Sequence, residues 1–180
     1  MPRADIQQGD KHMAIVDMLM PEFDMEMANT RKVLERVPGD KLDWRPHPKS
    51  FTMGEMAGHL VNMAGWMIYT LTTDSLDVMP DGEPMRMPEF TTARDMLEAF
   101  DNNVVQARAT LAATSDEQFA LPWTLLGNGK PYFTMPRAAV LRGMVLNHLI
   151  HHRGQLTVYL RLNEVALPAI YGPTADEEMM

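Results

Sequence analysis

The sequence predicts an all-α fold, a four-helix bundle with long crossover connections, and three observations carry that reading. Four stretches repeat apolar residues every three to four positions, which is the helical period. The connectors between them are rich in proline and glycine, which forbid one continuous helix. Eighteen residues are methionine, flexible and of good helix propensity, whereas β-branched residues are thinly spread. A chain of 180 residues, 46 % of them hydrophobic, is long enough to fill one core. A single domain over 1–180 is therefore expected, with an N-terminal tail at 1–12, the helical bundle at 13–163 and a C-terminal tail at 164–180.

The first helix is expected from Met13 to Val37, with Pro21 as an early interruption. "PGDKLDWRPHPKS" then supplies three prolines and a glycine, an extended connector anchored by Trp44. Ser50 or Thr52 can cap the second helix, Met53 to Thr73, and Glu55 stands three residues after Thr52 as in a capping box. "DSLDVMPDGEPMRMPEFTT" reads as a Pro-rich crossover. The third helix, Thr92 to Ala113, turns Met96, Leu97, Phe100, Val104, Ala107 and Leu111 to the core. In the long loop that follows, "LGNGKP" can turn a short hairpin. The fourth helix runs from Pro136 to Asn163, and the acidic pair Glu177–Glu178 reads as solvated tail.

A formal net charge of −8 leaves no basic stripe to neutralise a phosphate backbone, so a nucleic-acid partner is not expected. With no cysteine there is no disulfide, no thiolate nucleophile and no Cys-type metal site, and only His, Asp and Glu remain as strong ligands. "MPRADIQQGDKHM" has no apolar signal core, and no segment approaches the roughly 18 apolar residues of a membrane span. A cytoplasmic protein without a membrane partner is expected.

"NHLIHHRGQ", residues 147–155, places His148 and His152 one turn apart, about 40° from each other on an ideal helix. Gln155 and Tyr159 continue that stripe, with Leu141, Met144, Val145 and Leu156 beside it, so it faces the core. His151 points about 60° aside, towards surface or supporting duty. Two readings stand: a metal-binding pair, or two core imidazoles that share a face. Two adjacent buried imidazoles are costly unless paired, and one divalent cation pairs both. A third ligand must come from elsewhere. His12 is near the terminus and His47 lies between prolines, whereas His59 is mid-helix, bordering the apolar arc with Thr52, Met63, Trp66 and Thr70. Glu55, one turn earlier, is a candidate fourth ligand or proton acceptor. Glu55, Gln155 and Tyr159 are the candidate catalytic residues that orient groups or shuttle protons, with substrate entering past Trp66.

"LDWRPHPKSFTMGEMAGHLVNMAGW", followed by "VLNHLIHHRGQLTVYLRLNEVALPAIYGPTADE", resembles the DinB-like (YfiT-related) superfamily of bacterial metal-binding four-helix bundles. The specific parts are a single His in a G-E-x-x-x-H-L context, H-x3-H followed by R-G-Q, and a closing P-x-x-Y-G-P. The resemblance implies a divalent metal, often zinc or nickel, on His59, His148 and His152, and a homodimer. It also implies thiol-dependent S-transferase or isomerase chemistry with a low-molecular-weight thiol cosubstrate; an open metal position that activates a bound water would instead give a hydrolase-type reaction on a small-molecule substrate. The alternatives are a non-catalytic metal-binding stress or sensor protein, and a structural helical dimer with incidental histidines.

Overall fold

The computed structural model describes residues 13–178, so the expected tail at 1–12, with His12, lies outside the described residues. The apolar repeats become α1 (Ile15–Leu34), α2 (Met53–Thr72) and α3 (Ala93–Ala112), each within three residues of its expected bounds. Pro21 does not interrupt α1. A proline removes one backbone donor, but the turns after it bury Phe23, Met27, Val33 and Leu34, and that packing holds the helix together. The first N–H of α1 is satisfied from a distance: Ile15 donates to Asp116 Oδ1 at 2.9 Å.

Local chemistry starts α2. Thr52 Oγ1 accepts from the Glu55 N–H at 3.1 Å, and Glu55 Oε2 accepts from the Thr52 N–H at 2.6 Å, which closes the capping box. The preceding connector adds its own carbonyls, with Met53 donating to Trp44 O and Gly54 to Leu42 O. Thr52→Ala is expected to lower stability by about 1 kcal/mol, a fall of roughly 2–4 °C in the thermal midpoint for a chain of this size. An unchanged midpoint would show that the connector carbonyls alone suffice.

The all-α expectation is corrected by a small sheet. β1 (Ser75–Asp77) pairs in parallel with β2 (Pro122–Gly127), which pairs antiparallel with β3 (Lys130–Pro136). The hairpin turns on Asn128 and Gly129, both at positive φ (51° and 71°), the backbone that Asn-Gly accepts with least strain. Asp77 in β1 accepts from the N–H groups of Asn128 and Gly129, which ties the crossover to the turn. Trp123, Leu125 and Val140 form a second small core against Trp66 and Met144. A short helix, α4 (Asp116–Ala120), precedes the hairpin.

The expected fourth helix is one helical run of three parts: α5 (Arg137–Val140), a π-helical stretch (Leu141–Leu146) and α6 (Asn147–Leu162). The main core lies among α1, α2, α3 and α6, and includes Phe23, Leu60, Met63, Phe100, Leu111 and Leu156. Within it Arg153 and Glu26 pair at 2.7 Å, their side chains 2 % and 3 % exposed. The Tyr171 hydroxyl donates to the same Glu26 carboxylate. The C-terminal segment is therefore folded back, and Glu177, expected in solvent, accepts from the Ala169 N–H and pairs with Arg36. No helix among the described residues is long and apolar enough to cross a membrane.

Candidate metal centre

His59 lies in the first half of α2, and His148 and His152 lie one turn apart at the start of α6. Packing α2 against α6 brings the three rings together. His148 Nε2 is 3.4 Å from His59 Nε2 and 2.8 Å from His152 Nε2. One ligand atom from each ring lies within 4.8 Å of the others, and all three residues are half-buried. The i, i+4 spacing aligns the α6 pair, and the capping box sets where α2 begins. The π-helical stretch ends two residues before His148. Its wider i→i+5 winding inserts a residue into the run, so the faces of α5 and α6 do not follow one ideal wheel.

Burial, with the two neighbouring rings adding to it, pushes the His59 pKa down to about 4. Burial also lowers His148, helped by His152 and His151 and opposed by the Met144 carbonyl. His152 is lowered by burial, and its hydrogen bond to Gln155 opposes that shift. All three are thus neutral at pH 7, the form in which a ring nitrogen offers its lone pair to a metal. Gln155 Oε1 lies 2.6 Å from His152 Nδ1. An amide oxygen only accepts, so the proton is assigned to Nδ1 and Nε2 keeps its lone pair. His148 Nδ1 is buried without a well-directed hydrogen bond.

This donor set fits a divalent ion. Ring nitrogens about 2.0–2.1 Å from a tetrahedral zinc lie roughly 3.3 Å from one another; the 3.4 Å separation matches this, and the 2.8 Å pair needs to open by about half an ångström. These contacts bring the three Nε2 atoms to where one cation can take a lone pair from each neutral ring.

The other expected site residues are not in this cluster. Glu55 shares a cavity of about 1020 Å³ with His59, but its carboxylate is engaged at the start of α2. Among the described residues the donor group consists of the three histidines. Tyr159, on the same stripe as His152, is about 10 Å further along the helix axis; its ring packs edge-on against Trp44 with centroids 5.7 Å apart. Gln155 reaches the site through His152 alone. His151 is exposed with its ring against His152, as expected, and His47 accepts from the Lys49 N–H in the connector. Sequence reasoning missed Phe51, whose ring centroid is 6.1 Å from that of His59, and the crossover segment 84–90, which walls the cavity. The available signal was the run "PMRMP", which is too apolar for a solvated loop.

Among known proteins, the family model described as the DinB superfamily matches residues 22–156. The uncharacterised protein YrdA of Bacillus subtilis is 28 % identical over 165 residues, spanning 90 % of this chain and 91 % of its own. A solved DinB-like protein from Bacillus cereus superposes with a TM-score of 0.65 at 23 % identity, over 88 % of this chain and 98 % of that one. A mycothiol-dependent maleylpyruvate isomerase superposes with a TM-score of 0.57 at 12 % identity, over 78 % of this chain and 60 % of its own. At such identities the two structures share the fold.

Proposed function

Because the chain belongs to the DinB superfamily, we propose that His59, His148 and His152 hold one divalent metal ion, zinc or nickel, and that the protein is a metal-dependent transferase using a low-molecular-weight thiol, or a hydrolase. The observation that carries this reading is the convergence of three neutral ring nitrogens beside an open cavity. A divalent ion on three protein ligands keeps a position for water or a thiol, and lowers its pKa towards neutrality. The protein's own contribution is positional. Gln155 holds the His152 tautomer and ring direction, the π-helical stretch and the capping box set the two helices, and the half-buried site limits water.

Neutral imidazoles do not compensate the ion's charge, which favours an anionic fourth ligand such as hydroxide or thiolate. With no cysteine in the chain, sulfur must come from a cosubstrate. The fold likeness to a mycothiol-dependent isomerase agrees with that source. The second reading, a closed site in a non-catalytic sensor, needs a fourth protein ligand. The engagement of Glu55 in the capping box weighs against it.

The test is metal content by plasma mass spectrometry on untagged protein prepared without chelator. About one ion per chain is expected for this three-ligand site; no ion, even after incubation with zinc and with nickel, overturns the reading. Gln155→Ala is expected to weaken metal binding by about 10–100-fold through loss of the His152 acceptor, measured by competition with a chromophoric chelator. Wild-type affinity in that variant would remove Gln155 from the site. A homodimer is checked by light scattering, and a monomer at micromolar concentration would overturn it.

A further inference from the structure

Two cavities of unlike chemistry meet at His59. The larger, of about 1020 Å³, is mixed: Arg45, Arg86 and Glu89 stand on its walls beside Leu42, Phe51 and Phe90. The smaller, of about 300 Å³, opens on His59 and His148 and is otherwise lined by Trp66, Val78, Met85, Met87, Leu125 and Met144, with Pro84. Apart from those two histidines, every side chain that lines the smaller one is apolar.

The partition between them is the crossover, because Pro84, Met85 and Met87 belong to both walls. It is pinned on both sides. The Met85 N–H donates to Val78 O at 2.8 Å, and Asn62 Nδ2 donates to Pro88 O at 3.3 Å. The Phe90 ring rests on Gly58 so closely that a Cβ there would lie 3.3 Å from Phe90 Cδ2. A residue without a side chain just before His59 thus lets the crossover close over α2.

We propose that the smaller cavity binds a compact uncharged aromatic or aliphatic group, the apolar part of the substrate, while the larger cavity takes a hydrophilic cosubstrate, the two meeting at His59. In the metal-free protein a charged group in the smaller cavity would lose its hydration without gaining an oppositely charged side chain. The cavity volume corresponds to on the order of ten waters at roughly 30 Å³ each, part of which an apolar ring would displace. Thioether side chains adapt to rings of different shape without becoming polar. The role of this cavity as a substrate seat rests on the metal reading above; its capacity to bind an apolar group does not.

The test uses full-length protein labelled with ¹³C on the methionine methyl groups, titrated with indole. The signals of Met85, Met87 and Met144, assigned by Met→Leu substitution one at a time, are expected to shift saturably. In chelator-treated, metal-free protein indole-3-acetate, of similar shape but charged, is expected to shift them at concentrations at least about tenfold higher. Val78→Trp, with folding verified by circular dichroism, is expected to weaken indole binding by at least about tenfold, because the added ring takes up the volume. Shifts confined to other methionines, or equal responses to the two probes, would overturn the proposal. Metal content measured on the same sample separates the two readings. Bound metal with no shift at these three residues sinks the cavity assignment alone, whereas intact shifts in a protein that binds no metal sink the metal centre alone.

Discussion

His148→Ala is expected to empty the metal centre. Its Nε2 is the atom that stands between the other two, 3.4 Å from His59 and 2.8 Å from His152, so its removal leaves a pair from different helices. Loss of a direct ligand exceeds the 10–100-fold of an outer partner, and a loss on the order of 10³-fold or more is expected. Stability reports it independently. An ion at 1,000 times its dissociation constant adds about 4 kcal/mol, which raises the midpoint of a chain of this size by roughly 8–16 °C. A chelator should abolish that gain in the wild type and change nothing in His148→Ala. The metal-free proteins should differ little, because the variant loses half-buried ring contacts but also loses a buried nitrogen whose hydrogen bond is poorly directed. Equal metal content and equal midpoints in both proteins would return the histidines to ordinary core packing.

Glu26→Ala is expected to destabilise the fold by about 3–5 kcal/mol, since it strands a charge in the core. Arg153 is 2 % exposed and donates to Glu26 Oε2, to the Glu26 carbonyl and to Thr30 Oγ1. Without the carboxylate, neutral acceptors alone face the guanidinium, and the midpoint should fall by roughly 6–20 °C. The double variant Glu26→Leu, Arg153→Met should recover much of the loss, because apolar groups of similar size need no compensation. A single variant within about 1 kcal/mol of the wild type in urea unfolding would show that the pair is screened by water. The pair also bears on the metal centre: Arg153 follows His152 in α6, so its grip on α1 fixes the rotation of the helix that carries two of the three ring nitrogens.

Much of this was legible in the residues because it is local. Helix spans follow from apolar recurrence, the start of α2 from Thr52 and Glu55 three residues apart, and the β2–β3 turn from Asn128-Gly129. The same locality sets what a helix wheel leaves open. The wheel placed Tyr159 on the His152 stripe correctly in angle, but a wheel carries no axial distance. It placed Glu55 one turn from His59, and the carboxylate that closes the capping box also borders the larger cavity. Strand β1 was not legible because its partner β2 lies about 50 residues away, in parallel, and a three-residue strand has too little pattern of its own.

The sequence by itself determined which atoms can serve: six histidines and no cysteine, an i, i+4 pair on one helix, a single mid-helix histidine on another, and an apolar surplus that must be buried. Only the tertiary structure decided which of them meet. His59 and His148 are 89 residues apart, and their 3.4 Å contact depends on how α2 packs against α6 through Leu60, Met63, Leu149 and Leu156. The two cavities depend on it further, because their walls come from the connector, the crossover, α2, the π-helical stretch and the hairpin at once. Hydrogen bonding within a turn depends on neighbours in sequence, whereas a cavity depends on which side chains fail to fill the space between packed elements. That second quantity is a property of the whole fold.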